Sequence, residues 1–336
     1  MYFARCREEG PDGPSTRILV ADRPGTSWID LRLAERLRHE RRGASSVAAL
    51  RLAQALAPAS MSAAIAGGEA FLEAAAAALA DASGAARREI EPHELVAALD
   101  PSGYRDFMIF EGHFSFGYRW QGKPVPEVMY ELPVGYLGNP ASFIGPGDEV
   151  PWPSYTRHMD YELELGIVIG RGGSDLTPEQ AAEHIFGFTI LNDFSARDIQ
   201  LREMEGRLGP CKGKHFACGA GPLIATADEL DWRAGMRMTA RLNGDPVCDA
   251  HSSEAIWGLD EIVAWTSQGE SLQPGWLLGS GTCNGGSGVE TDRRLQPGDR
   301  IELEIEGLGV LRNTLGAIPA GGWTPPPRAP QEPASN

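Results

Sequence analysis

The sequence predicts an α+β protein in which β structure predominates. Short apolar runs bounded by Gly, Pro or Asn recur from about Pro101 to Leu315. Helical patterns are confined to a few stretches, and strands and helices do not alternate as a doubly wound sheet requires. With 336 residues, 42% of them hydrophobic, the chain can hold one large domain or two moderate ones.

Residues 1–98 read as a small, mainly helical N-terminal domain. "TRILVADRPGTSWIDL" alternates like a short hairpin, and helical character follows in "LRLAERLRHERRG" and in the alanine-rich stretch from about Ser45 to Ala80. Residues 99–318 form the second unit. Its candidate strands are "VMYELPVGYL", "YELELGIVIG", "IFGFTILND", "GPLIAT", "MRMTARLNGD", "GWLLGSGT" and "RIELEIEGLGVLRNTL". Two helices interrupt them: "TPEQAAEHI", with Thr177 as cap and Pro178 at the first helical position, and "SARDIQLREME", with Ser195 as cap. Residues 319–336 are a proline-rich tail, expected to be disordered.

A formal net charge of -16 argues against nucleic acid and against an anionic membrane surface as partners. It leaves small-molecule substrates open, because a local site can differ in sign from the whole. "MYFARCREEG" has no apolar h-region, and "AFLEAAAAALADA" is too short to span a bilayer. The five cysteines, Cys6, Cys211, Cys218, Cys248 and Cys283, include no CxxC pair. The expectation is a cytoplasmic protein with free thiols.

The chemistry begins with "MDYELELGIVIG". On a strand, residues two apart share a face, so Glu162 and Glu164 point the same way. Like charges there are unfavourable unless something offsets them. Most such pairs are solvated strand residues, but Asp193, where "FTILND" turns into a helix, adds a third carboxylate. Carboxylates grouped without a base suit a hard divalent cation. Upstream, "RDFMIFEGHF" carries Asp106 and His113. It reads either as a core-packing segment with a surface histidine, or as a further ligand with a general base, since imidazole titrates nearest neutrality. In "GPCKGKHFACGAGP", Lys212 and Lys214 are solvated loop lysines or oxyanion stabilisers. "LLGSGTCNGGSG" lacks the spacing of a nucleotide loop, although Thr282 could donate to a carboxylate.

Taken in order, Asp106–x6–His113, "LPVGY" at 132–136, "YELELG" at 161–166, "LNDFSARDIQ" at 191–200, "GPCKGKHF" at 209–216, "GSGT" at 279–282 and "GDRIELEIEGLG" at 298–309 resemble the fumarylacetoacetate hydrolase superfamily over about residues 100–316. The resemblance implies a mixed β-sandwich roll, usually a homodimer, holding Mg²⁺, Mn²⁺ or Ca²⁺. The implied ligands are Asp106, Glu162, Glu164 and Asp193. It implies His113 as the base, oriented by Glu302 or by Glu111, with Arg197, Gln200 and Lys214 facing developing negative charge. Tyr136 and Thr282 match substrate-contacting positions. Three further positions depart from the family pattern: Met108 and Met204 stand where it has tyrosines, and Gln121 where it has an arginine. The outer pocket is thereby expected to take a less anionic or more apolar substrate.

The leading expectation is metal-dependent C–C hydrolysis of an acylpyruvate or another 1,3-dicarbonyl compound. The alternative is decarboxylation, hydration or tautomerisation of a 2-oxo acid on the same metal scaffold. A non-catalytic binder would have lost the ligand set, which is intact here. A glycosidase would place its two carboxyls across the scissile bond, not side by side on one strand.

Overall fold

The computed structural model describes residues 1–10, 13–25, 27–81 and 83–329. The chain opens with β1 (Tyr2–Gly10), β2 (Gly13–Ala21) and β3 (Ser27–Asp30). Helices α1 (Leu31–Arg41), α2 (Ser46–Leu56), α3 (Met61–Ile65) and α4 (Glu69–Leu79) follow, then β4 (Arg87–Glu89). Asp30 starts α1 by accepting from the Leu33 amide at 3.0 Å.

Next come β5 (Tyr104–Phe107), α5 (Glu111–Trp120), α6 (Val128–Glu131), β6 (Gly135–Leu137), β7 (Phe143–Ile144), β8 (Glu149–Val150) and β9 (Met159–Asp160). The centre of the chain is β10 (Leu163–Ile169), α7 (Pro178–Ala182), β11 (Ile185–Asn192), β12 (Ser195–Ala196), α8 (Arg197–Glu205) and β13 (Cys218–Thr226). It closes with β14 (Arg237–Leu242), β15 (Asp245–His251), α9 (Leu259–Ser267), β16 (Leu277–Gly279), β17 (Arg300–Ile305) and β18 (Gly309–Leu315).

The large sheet runs β4-β3-β2-β1-β13-β11-β10-β16-β5-β6, with β7 beside β13. A second sheet, β15-β14-β17-β18-β8, packs on one of its faces. Alternation along β10 builds both interfaces. Leu163, Leu165, Ile167 and Ile169 point into the sandwich core with Met238, Leu303 and Leu311. Val168 points the other way, into a core with Leu191, Leu277 and the N-terminal helices' Leu31, Met61 and Phe71. Both faces of β10 are therefore dry, and truncating Leu165 to Ala would cost about 2–5 kcal/mol.

Three expectations change. The N-terminal region carries the expected helices in α1 to α4, but it also holds four strands: β1 to β4 extend the large sheet, with β1 antiparallel to β13 through Tyr2↔Ala225 and Phe3↔Ile224. "VMYELPVGYL" divides into α6 and β6, because Pro133 and the extended Leu132 stop the helix. Ser195 does not cap α8; its hydroxyl donates to the Asp193 carbonyl and the helix starts from Ala196 with no side-chain cap. Thr177 does cap α7, in a capping box with Gln180. Of the proline-rich tail, residues 319–329 are exposed and without regular structure, and residues 330–336 lie outside the described residues. Among the described residues, no helix is long and apolar enough to cross a membrane.

Candidate metal centre and its base

Strand register assembles the acids. Gly279 of β16 lies opposite Asp106 on one side and Gly166 on the other, while Glu164 lies opposite Leu191. Asp106 shares its face of the sheet with Tyr104, Glu164 with Val168, and Asp193 follows Leu191 by two residues. All three acids thus end on the face that carries the helical layer, where Tyr104, Val168 and Leu191 are buried. Asp106, Glu164 and Asp193 can each present an oxygen such that all three lie within 4.8 Å of one another. Gly279 makes room: a Cβ there would collide with Asp106 Oδ1 and lie 2.8 Å from Glu164 Oε2.

The donor set fits a divalent cation. Asp106 Oδ1 and Glu164 Oε2 are buried with no hydrogen-bond partner. Thr282 Oγ1 donates to Glu164 only at 3.5 Å. Burial, then the neighbouring carboxylates, push both acids well above the usual carboxylate range. Buried acids with unused oxygens need either a shared proton or a hard cation, and Asp106, Glu164 and Asp193 would hold the latter.

The adjacent half is balanced instead. Lys214 Nζ, itself buried, donates to Glu162 and, at 2.6 Å, to Asp193 Oδ2. Arg197 lies 2.7 Å from Glu162 Oε1 and donates through Nε to Asp160 Oδ2 at 2.8 Å. Burial would raise the Glu162 pKa, but Arg197 and Lys214 outweigh it and bring it down to about 2. Burial would lower the Lys214 pKa, yet Asp193 and Glu162 carry it upward. Glu162, expected as a fourth ligand, has its two oxygens engaged by Arg197 and Lys214 and is not among the three acids whose oxygens come together.

The candidate base, His113, stands on α5. His113 Nδ1 is 2.7 Å from Glu290 Oε2, and its Nε2 faces Glu162 Oε1 at 3.7 Å. Glu290 also accepts from Ser287 Oγ and the Gly285 amide. Burial raises its pKa, but His113 outweighs this and the net shift is downward. Both expected orienters are thereby corrected. Glu302 lies in the second sheet and pairs with Arg312 at 2.6 Å, because alternation along β17 turns it to that sheet's outer face. Glu111 is exposed and accepts from Tyr130. Neither Glu290 nor Asp160 was singled out from the sequence. Glu290 carries no local signal; the loop reaches His113 because the Cys283 amide donates to the Leu163 carbonyl, the Leu163 amide donates to the Gly286 carbonyl, and Ser287 bridges Glu162.

A cavity of about 280 Å³ gathers most of the remaining candidates: Met108, His113, Tyr136, Arg197, Gln200, Met204, Lys214 and Thr282 all line it. Tyr136 donates to Asp193 Oδ2 at 2.6 Å, and Gln200 accepts from Arg197 at 3.1 Å. Gln121 does not line this cavity. It ends α5, exposed, its amide donating to the Gly117 carbonyl. Lys212 is a surface lysine, 5.2 Å from the centre of the Tyr155 ring.

Two acids of a buried trio and a carboxylate-held imidazole, lining one cavity, are the arrangement of an enzyme acting on small molecules. The model of the fumarylacetoacetate (FAA) hydrolase C-terminal domain matches residues 110–316, and the chain belongs to that family. It is 31% identical over 253 residues to the human mitochondrial oxaloacetate tautomerase FAHD2A, covering 74% of this chain and 77% of that one. It is 32% identical over 188 residues to the oxaloacetate tautomerase YisK of Bacillus subtilis, covering 55% of this chain and 62% of the relative. Among solved structures, a fumarylacetoacetate hydrolase from Exiguobacterium antarcticum superposes with a TM-score of 0.67 at 25% identity, over 94% of this chain and 99% of that one.

Proposed function

We propose that this chain is a divalent-metal-dependent tautomerase of 2-oxo acids, moving a proton between carbon and oxygen of an enolisable substrate such as oxaloacetate. The observation that carries this reading is one cavity lined by Asp106 and Glu164 of the oxygen trio and by His113, whose ring Glu290 holds from behind. The two relatives named as oxaloacetate tautomerases support it over the hydrolase expectation. A divalent ion held by Asp106, Glu164 and Asp193 would polarise the 2-oxo and carboxylate oxygens and acidify the neighbouring C–H. Glu290 holds the His113 ring by Nδ1, which leaves Nε2 toward the cavity as the atom that takes and returns the proton. Lys214 and Arg197 supply fixed positive charge near the oxygen that becomes negative. The choice of Mg²⁺ among divalent ions, and assembly as a homodimer, belong to the same proposal.

A second reading is hydrolysis of an acylpyruvate, which the same His113–Glu290 pair would serve by deprotonating water. One experiment weighs both. Enol decay of oxaloacetate and cleavage of acetylpyruvate are followed with Mg²⁺, for the unmodified chain and His113→Ala. The expected result is enol decay that falls about 10²–10⁴-fold in the variant. An undiminished rate in His113→Ala, or cleavage with no effect on the enol, sinks the tautomerase reading.

A further inference from the structure

A second cavity, of about 530 Å³, opens from the first, sharing Met108, His113, Arg197, Gln200 and Met204 with it. Two helical stripes build it. On α5, His113, Phe116, Gly117 and Trp120 follow the i, i+3, i+4, i+7 spacing of one face. On α8, Arg197, Gln200, Leu201 and Met204 do the same. Each stripe starts on a site residue and runs outward to an apolar one. At the outer end, Trp120 is 55% and Met204 39% exposed, which is unusual area to leave wet. Lys123 on the rim is exposed and bonded to Gln121, while Arg197 is held by Asp160 and Glu162. Tyr118, Gln121 and Glu205 line the annex as well, so it offers apolar wall flanked by polar groups, with Lys123 and Arg197 already engaged.

We propose that the annex seats an apolar, ring-sized substituent of the substrate, so that the preferred 2-oxo acid is aryl-substituted rather than a short dicarboxylate. This rests on the tautomerase reading for the chemistry, but on the annex alone for the specificity. The space suffices, since a cavity of about 150 Å³ already holds a benzene ring. The ring would lie between Phe116 and Trp120 on one side and Leu201 and Met204 on the other, with its 2-oxo acid end in the smaller cavity.

Gly117 provides the test. A Cβ added there meets nothing within 4 Å, and a larger residue improves helix propensity, so Gly117→Leu should fold while filling the annex. Enol–keto interconversion of phenylpyruvate and of oxaloacetate is measured with Mg²⁺. The expected KM is about ten-fold lower for phenylpyruvate, and Gly117→Leu raises that KM about ten-fold while leaving oxaloacetate within about two-fold. Equal KM values in the unmodified chain, or equal effects of the variant on both acids, overturn the proposal. If neither acid is turned over, the tautomerase reading fails by itself. Calorimetric titration of phenylpyruvate then decides the annex: binding lost in Gly117→Leu supports it, and unchanged or absent binding overturns it.

Discussion

Glu162 and Glu164 stand two residues apart, both buried, in opposite surroundings. Glu162 faces Lys214 and Arg197 and stays ionised far below neutrality. Glu164 faces Asp106 and Asp193, and its Oε2 has no partner. The difference teaches that burial does not set the charge state of an acid; the nearest counter-charge does. It also divides the site into a half whose charges are balanced by the chain and a half that needs a shared proton or a bound cation.

The sharpest way to break this comparison is to remove the balance. Lys214→Met leaves Glu162 and Asp193 buried beside a neutral side chain and should cost about 3–5 kcal/mol in a urea titration of the metal-free protein. A loss no larger than that of a surface lysine would mean that the balanced half is not held by Lys214.

The unbalanced half should respond differently. Glu164→Gln replaces one of the three carboxylates that would hold the ion and should weaken Mn²⁺ binding by about 100-fold or more in calorimetry, without lowering the melting temperature of the metal-free protein. Unchanged affinity would move the ion elsewhere.

The base should be sensitive to one glutamate and indifferent to another. Glu290→Gln frees the His113 ring and should lower turnover about 10–100-fold. Glu302→Gln, paired with Arg312 on the second sheet, should stay within about two-fold. Reversal of that ranking would restore Glu302 as the orienter.

The smallest effect is on pH. Asp106 and Glu164 have folded pKa values above their unfolded ones, so the folded state binds more protons. Their contribution favours folding below the ordinary carboxylate range and is lost as pH rises through the folded values. The metal-free protein should therefore melt higher at pH 5 than at pH 8. Saturating Mg²⁺ should reverse that trend, because the ion requires the ionised carboxylates. Glu162 has the opposite sign, but its window lies between its ordinary value and about 2, below this range.

Much of the site was legible in the chain because it is written in strand alternation. The ExE pair and Asp193 at a strand end follow from strand patterning, and their types name the chemistry. Asp106 and His113 were brought to the site by the family resemblance, and the partner of His113 was not legible. Glu290 follows a glycine-rich loop that folds back on Glu162 and Leu163, so its neighbour is decided by pairing across more than a hundred residues. Glu302 fails for the converse reason: its strand was read correctly, but alternation alone does not say which face the site occupies.

By itself, the sequence determined most strands of the second unit, the Thr177 cap and the types of the titratable residues, because these depend on local spacing and side-chain chemistry. The tertiary structure alone decided that the N-terminal strands continue the large sheet and that Glu162 is neutralised while Glu164 is not. It also decided that Glu290 serves His113. Each of these depends on which distant segments share a sheet register, and register is settled by burying both faces of the sheet at once.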